Sequence, residues 1–194
     1  VHYAEIRGPA IRFECLAAVP PLRVVPEFVH QRGGLHERRA DRQPVEEHDD
    51  VRPAVERAFA RGFRAFKLRS SGAIADHVAV VRPVRALVGA SCDLMLDLNS
   101  SWEASAAIAT IGELAPDGLA WLEEPLPVDA PAATWCRLAE AAPMPLAGGE
   151  NMVTPQMFDD ALAHRALAVL QPDVTKWGGF SGGVPLAHRL VADG

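Results

Sequence analysis

Residues 94–99 read LMLDLN, residues 119–125 read LAWLEEP and residues 145–151 read PLAGGEN, and this ordered stretch decides the fold. Each piece is a short apolar run that ends on an acid: Asp97, Glu123 and Glu150. The acids lie 26 and 27 residues apart, close to one strand-plus-helix unit of an eight-unit barrel of about 250 residues. If each run is a parallel strand, neighbouring strands lie about 4.8 Å apart, and three acids at corresponding strand ends converge on one barrel mouth. Three oxygen ligands with room left for substrate and water suit Mg²⁺.

Outward from that stretch the pattern repeats. VRPAVERAFARG at 51–62 predicts an amphipathic helix ending at Gly62, and FRAFKLR at 63–69 predicts a strand followed by the breaker pair Ser71-Gly72. Helices are expected over 74–88, 103–115, 131–141 and 154–164 and from 182, with strands over 92–98, 119–123, 145–149 and 167–172. Strands alternating with helices imply βαβ units and a parallel sheet. The expected fold is therefore α/β, a partial TIM-type (β/α) barrel of five to six units occupying residues 51–194 and carrying the metal site.

The sixth unit rests on LRVVPEFVH at 22–30, a candidate first barrel strand weakened by Pro20, Pro21 and Pro26. Residues 31–50 are dense in charge and poor in large apolar side chains, so they read as a loop, and 1–50 as a whole is an irregular N-terminal segment. At 194 residues the chain is too short for a complete barrel. The last strands and most of any N-terminal capping domain are expected to be missing. An open half-barrel exposes strand edges and apolar helix faces, which favours pairing, and a homo-oligomer is expected at full length.

Composition narrows the function. The chain is 49% hydrophobic and 23% charged, ordinary for a globular domain with a sizeable core. A net charge of −6, with no basic patch interleaved with aromatics, argues against a nucleic-acid partner. No apolar run approaches the roughly 20 residues of a membrane span. VHYAEIRGPAIRFE at the start lacks the charged-then-apolar layout of a signal peptide. Cys15, Cys92 and Cys136 are widely spaced with no CxxC pair, so a reduced, cytoplasmic setting is expected.

Each candidate site residue has an ordinary reading beside the chemical one. Asp97 could simply cap the next helix, Glu123 and Glu124 could form a solvated acidic turn, and Glu150 could be a helix-start acid favoured by the dipole. Their common register favours the metal. Strand alternation allows only one of Glu123 and Glu124 to face the barrel, and puts Asn99 on the same face as Asp97. Asn151, beside Glu150, is a candidate substrate or outer-sphere residue. Gly148 and Gly149 would let a ligand approach the backbone closely.

In FKLR, Lys67 and Arg69 alternate onto one face with Leu68 on the other, so two cations point at the barrel interior and facing acids are expected. A lysine near a metal and other cations can act as a base at neutral pH. Asp173 and Lys176, in QPDVTKWGG, end the last strand and enter a Gly-rich turn. Gly178, Gly179, Gly182 and Gly183 lack the Walker spacing, which weakens a phosphate-cradle reading. The histidines are scattered without HExxH, with His164 and His188 on surface or helix-end positions. Trp102, Trp121 and Trp177 lie near strand ends, where core filling is the default.

Taken in order, KLR, DLN, EEP, GGEN and QPDVTKWGG resemble the barrel domain of the enolase superfamily, in its mandelate racemase and muconate-lactonising branch, over about residues 51–190. The resemblance implies that Asp97, Glu123 and Glu150 bind Mg²⁺, which grips a substrate carboxylate while a base removes the neighbouring carbon-bound proton. In that superfamily the base is a Lys or His, and Mg²⁺ stabilises the resulting ene-diolate. Lys67 and Arg69 match the family's Lys-x-Lys pair, with arginine where the base normally stands. Arginine stays protonated, so an electrostatic role is implied for Arg69. Asp173 matches the Asp that orients a catalytic His in the racemase-like branch, a His that would lie beyond Gly194. Lys176 resembles the opposing base of the lactonising-like branch. The implied function is a sugar-acid dehydratase acting on a small carboxylate. A racemase or epimerase of a 2-hydroxy or amino acid is the alternative, and an inactive fragment or assembly-dependent domain is the alternative of another class.

Overall fold

The computed structural model describes residues 51–70 and 72–193, with side chains as far as Leu190 in the last helix. Residues 1–50, with the strand expected at 22–30, the loop at 31–50 and Cys15, lie outside the described residues, as does Ser71.

Among the described residues five strands are flanked by six helices: α1 Arg52–Ala60, β1 Ala65–Arg69, α2 Ile74–Val88, β2 Asp93–Asp97, α3 Ala104–Thr110, β3 Trp121–Glu123, α4 Ala132–Ala141, β4 Leu146–Gly148, α5 Pro155–His164, β5 Val169–Leu170 and α6 Gly179–Asp193. All pairings are parallel and the strand order is β1-β2-β3-β4-β5. A doubly wound sheet reverses its strand order at a switch point, whereas a sheet that always adds the next strand on the same side is the pattern that closes into a barrel. The architecture is a partial (β/α) barrel of five described units.

Alternation along the strands sorts the side chains. Leu68, Leu96, Leu122 and Leu146 are cross-strand partners in one row, and all belong to the main apolar cluster shared with Val81, Val84, Leu114, Leu138 and Phe158 of the surrounding helices and turns. This is the outer face. The opposite face carries Lys67, Met95, Asp97, Glu123 and Ala147. Leu122 is 0% exposed at the centre of the outer row, so truncating it to alanine should cost about 2–5 kcal/mol.

Two helices depart from expectation, and β5, expected over 167–172, is a strand only over Val169–Leu170. The helix predicted over 103–115 stops at Thr110 and continues as a tighter 3₁₀ segment over Ile111–Asp117. Gly112 is a poor helix former, and Pro116 lacks the N–H that an α-helical turn would need there. The last helix begins at Gly179 rather than 182, because the backbone at Gly178 and Gly179, with φ of 70° and 54°, turns the chain into it earlier.

Candidate metal centre

The cross-strand register places Arg69 opposite Asp97 and Asp97 opposite Glu123, all three at the last position of their strands. Glu150 is not in that row. Glu123 pairs with Ala147, so Glu150 stands three residues further on, and it reaches the site from the loop after β4. Gly149 makes this possible. Its φ is 122°, and a Cβ there would lie 3.0 Å from the Gln171 backbone nitrogen, so only glycine lets the chain turn so close to β5.

The three acids converge. Each offers an oxygen, and these oxygens all lie within 4.8 Å of one another, with Asp97 and Glu123 buried and Glu150 half-buried. Uncompensated, three carboxylates this close would repel strongly, and two ammonium groups answer them. Lys67 Nζ donates to Glu123 Oε1 and lies 3.3 Å from Asp97 Oδ2. Lys176 Nζ donates to Glu150 Oε1 at 2.9 Å and to Asn151 Oδ1 at 2.9 Å. Arg69 is more exposed, its Nε 4.0 Å from Asp97 Oδ2. A set of three hard oxygen donors, with cations at its flanks, fits a hard divalent cation.

Asn99 departs from the strand alternation that would put it on the face of Asp97, because β2 ends at Asp97. The Asn99 amide donates to Asp97 Oδ1 at 3.0 Å, and Asn99 and Ser100 take left-handed φ values of 47° and 61°. The carboxylate turns the chain, period-two alternation stops, and Asn99 is exposed. Glu124 also has a left-handed φ, of 42°. Its carboxylate accepts from Asn151 Nδ2 at 2.5 Å and from the Asn151 amide at 3.2 Å. It lines a cavity of about 300 Å³ behind the site, between the sheet and α4 and α5. Burial pushes Glu124 upward, the Asn151 hydrogen bonds oppose this, and the charges of Glu150 and Asp97 add to the rise. Asn151 thus joins Glu124 to Lys176.

Asp173 turns onto its own loop, where Oδ1 accepts from the Thr175 amide at 2.8 Å and the Thr175 hydroxyl at 2.6 Å. Burial pushes its carboxyl up, but these bonds and the nearby Lys176 hold it below its usual range.

Residues 50–193 match the family model described as enolase C-terminal domain-like. The chain belongs to the enolase superfamily. A 3,6-anhydro-alpha-L-galactonate cycloisomerase of Streptomyces coelicolor is 33% identical over 133 residues, covering 68% of this chain and 37% of that protein. Among solved structures, a mandelate racemase/muconate lactonizing enzyme from Bordetella bronchiseptica RB50 is 48% identical with a TM-score of 0.71, over 75% of this chain and 40% of that one. The L-talarate dehydratase of Polaromonas sp. JS666, complexed with Mg and L-glucarate, is 27% identical with a TM-score of 0.65, over 74% and 42%. The region matched in this chain therefore spans about two fifths of its relatives' length.

Two polar contacts of this enolase-superfamily domain have little signature in the sequence. Gln171, just past β5 and 6% exposed, donates Nε2 to Glu123 Oε2 at 3.0 Å. Its one signal is its place two residues before Asp173 in QPD. His77, fully buried on α2, accepts from Trp102 Nε1 at 2.8 Å and meets Ser70 Oγ at 3.0 Å through Nδ1. Because Nε2 accepts, Nδ1 carries the proton and donates. No local spacing distinguishes this histidine from the other six. Among the described residues no helix is long and apolar enough to cross a membrane.

Proposed function

We propose that this chain carries the metal-binding and charge-bearing part of a Mg²⁺-dependent enzyme that removes the proton α to a carboxylate, working as a sugar-acid dehydratase. The observation that carries this reading is the convergence of Asp97, Glu123 and Glu150 within 4.8 Å. Family membership supports it, as does the similarity to a dehydratase complexed with Mg and a sugar diacid. When bound, Mg²⁺ supplies concentrated positive charge against the substrate carboxylate, offsetting the second negative charge that proton removal creates.

The chain's own residues take distinct parts. Lys67, held against Glu123 and Asp97, and Arg69 beside Asp97 place fixed positive charge at the β1 end of the acid row. Arg69 keeps its proton and acts by charge alone. Lys176 stands at the other end, aimed by its two acceptors Glu150 and Asn151, and is the proposed proton-transfer group. Asp173 orders the loop that presents Lys176, whose backbone N–H donates to the Asp173 carbonyl at 3.1 Å. The β-hydroxyl takes up a proton and leaves as water, and the enol that remains is protonated at C3 to give the 2-keto-3-deoxy acid.

A racemase or epimerase is the second reading, favoured by one lysine at each end of the acid row. Incubation with acid sugars in D₂O separates the two. Mg²⁺-dependent formation of a 2-keto-3-deoxy acid supports the dehydratase, whereas α-deuterium exchange with inversion and no loss of water supports the racemase. Turnover unaffected by Lys176→Ala would remove its assigned part. The proposed setting is cytoplasmic, with Cys92 and Cys136 as free thiols, and the proposed assembly is a homo-oligomer.

A further inference from the structure

Glu123 is the most enclosed of the three acids, and its two oxygens are treated differently. Oε1 meets Lys67. Oε2 accepts from Gln171 Nε2 at 3.0 Å and from Trp121 Nε1 at 3.3 Å. A carboxylate oxygen has about two lone-pair directions, so two neutral donors fill Oε2. The Gln171 amide cannot be reversed, because a carboxylate only accepts and must face the NH₂ group. Its own Oε1 is buried without a partner among the described residues, so the amide is oriented entirely from its donor side. The two donors come from different places, Trp121 from the start of β3 and Gln171 from the residue just past β5. Together they brace one carboxylate against rotation.

We propose that Gln171 and Trp121 are positioning residues that hold Glu123 to a single metal-facing oxygen, Oε1, and thereby set the site for a small six-coordinate cation over a larger one. This rests on the reading of Asp97, Glu123 and Glu150 as metal ligands. Mg²⁺ demands near-octahedral geometry at short distances, whereas Ca²⁺ takes six to eight oxygens and readily accepts both oxygens of one carboxylate. A Glu123 pinned through Oε2 offers one oxygen. Released from those donors, it can turn and offer two.

The test measures Mg²⁺ and Ca²⁺ binding by titration calorimetry on the 194-residue chain, with Gln171→Leu and Trp121→Phe as variants. Outer-sphere partners of metal ligands are typically worth roughly ten- to hundredfold in affinity. Mg²⁺ affinity should fall by that order in Gln171→Leu and by less in Trp121→Phe, while Ca²⁺ affinity holds or rises, so that the Mg²⁺/Ca²⁺ preference narrows in both. A merely structural loss would lower both affinities together and leave the ratio unchanged, and that result overturns the proposal. If Gln171→Leu loses its cooperative melt, the ratio in Trp121→Phe decides alone. A wild-type chain that binds neither cation overturns the metal reading itself, a result distinct from a wild type that binds Mg²⁺ with variants of unaltered preference.

Discussion

The two ends of the sheet handle charge in opposite ways. At the end where the strands begin, Arg85 of α2 spreads its guanidinium over four backbone carbonyls, those of Gly89, Cys92, Asp117 and Gly118, at 2.7–2.9 Å. Those carbonyls belong to the turns that lead into β2 and β3, so the cation closes the floor of the barrel. At the end where the strands finish, three carboxylates are gathered within 4.8 Å, and three of the four described non-glycine residues with left-handed φ, Asn99, Ser100 and Glu124, stand beside them. Charge at the floor satisfies backbone groups and stabilises the fold. Charge at the mouth is concentrated against its own repulsion, and strained backbone holds it there.

The sharpest break of this contrast is Glu123→Gln. It should weaken Mg²⁺ binding, read by calorimetry, by more than the roughly ten- to hundredfold assigned to outer partners, while the melting temperature falls only modestly, because relief of repulsion among the acids offsets much of the lost ion pair with Lys67. A large fall in melting temperature would mean that the acids serve stability after all. The mirror experiment is Arg85→Ala. Several hydrogen bonds to a charged donor are lost at once, so the denaturant midpoint should drop by an amount equivalent to about 2–4 kcal/mol, with Mg²⁺ affinity essentially unchanged.

Asn151 sharpens the comparison within the mouth. Asn151→Ala removes the side-chain donor to Glu124 and an acceptor of Lys176, and leaving a buried acceptor short should cost about 1–3 kcal/mol. Turnover should fall as well, because Lys176 is then aimed by Glu150 alone. A loss of stability with full turnover would detach Lys176 from proton transfer.

The smallest effect belongs to the floor. Burial raises the Asp117 carboxyl above its ordinary value, against the opposing charges of Arg82 and Arg85, and its Oδ2 has no partner among the described residues. A carboxyl raised in the folded state opposes folding when ionised. That penalty is present above the raised folded value and vanishes as pH falls below the unfolded value, about 3.9. Asp117→Asn should therefore gain on the wild type at neutral pH and lose that advantage on acidification toward about 4, as followed by urea melts across pH. The ion pair it forfeits is with Arg82, which is more than half exposed and contributes little. An advantage that grows on acidification would reverse the assignment.

How much of this is legible in the chain differs residue by residue. Apolar periodicity determines α2 over Ile74–Val88 to the residue, and it determines the strand ends at Arg69 and Glu123, because period and breaker residues are local properties. The outward row Leu68, Leu96, Leu122 and Leu146 follows from the same alternation. Lys67, Asp97, Glu123 and Glu150 can be singled out because a charge at the end of a buried run needs an explanation. Their near-equal spacing is nonetheless a weaker guide than it looks. Glu150 lies three positions beyond the row of Asp97 and Glu123, and only the turn at Gly149 against Gln171 carries it back.

The sequence by itself thus determined the alternating units, the parallel sheet, the acids and the cations, since each is written in local pattern and in the cost of burying charge. Tertiary structure alone decided which of these groups meet. That Lys67 serves Asp97 and Glu123 while Lys176 serves Glu150, that Gln171 and Trp121 share one oxygen of Glu123, and that His77 joins Ser70 to Trp102 all depend on distances across strands and between helix and sheet. Such distances are set by register and packing of residues far apart in the chain, and no local period encodes them.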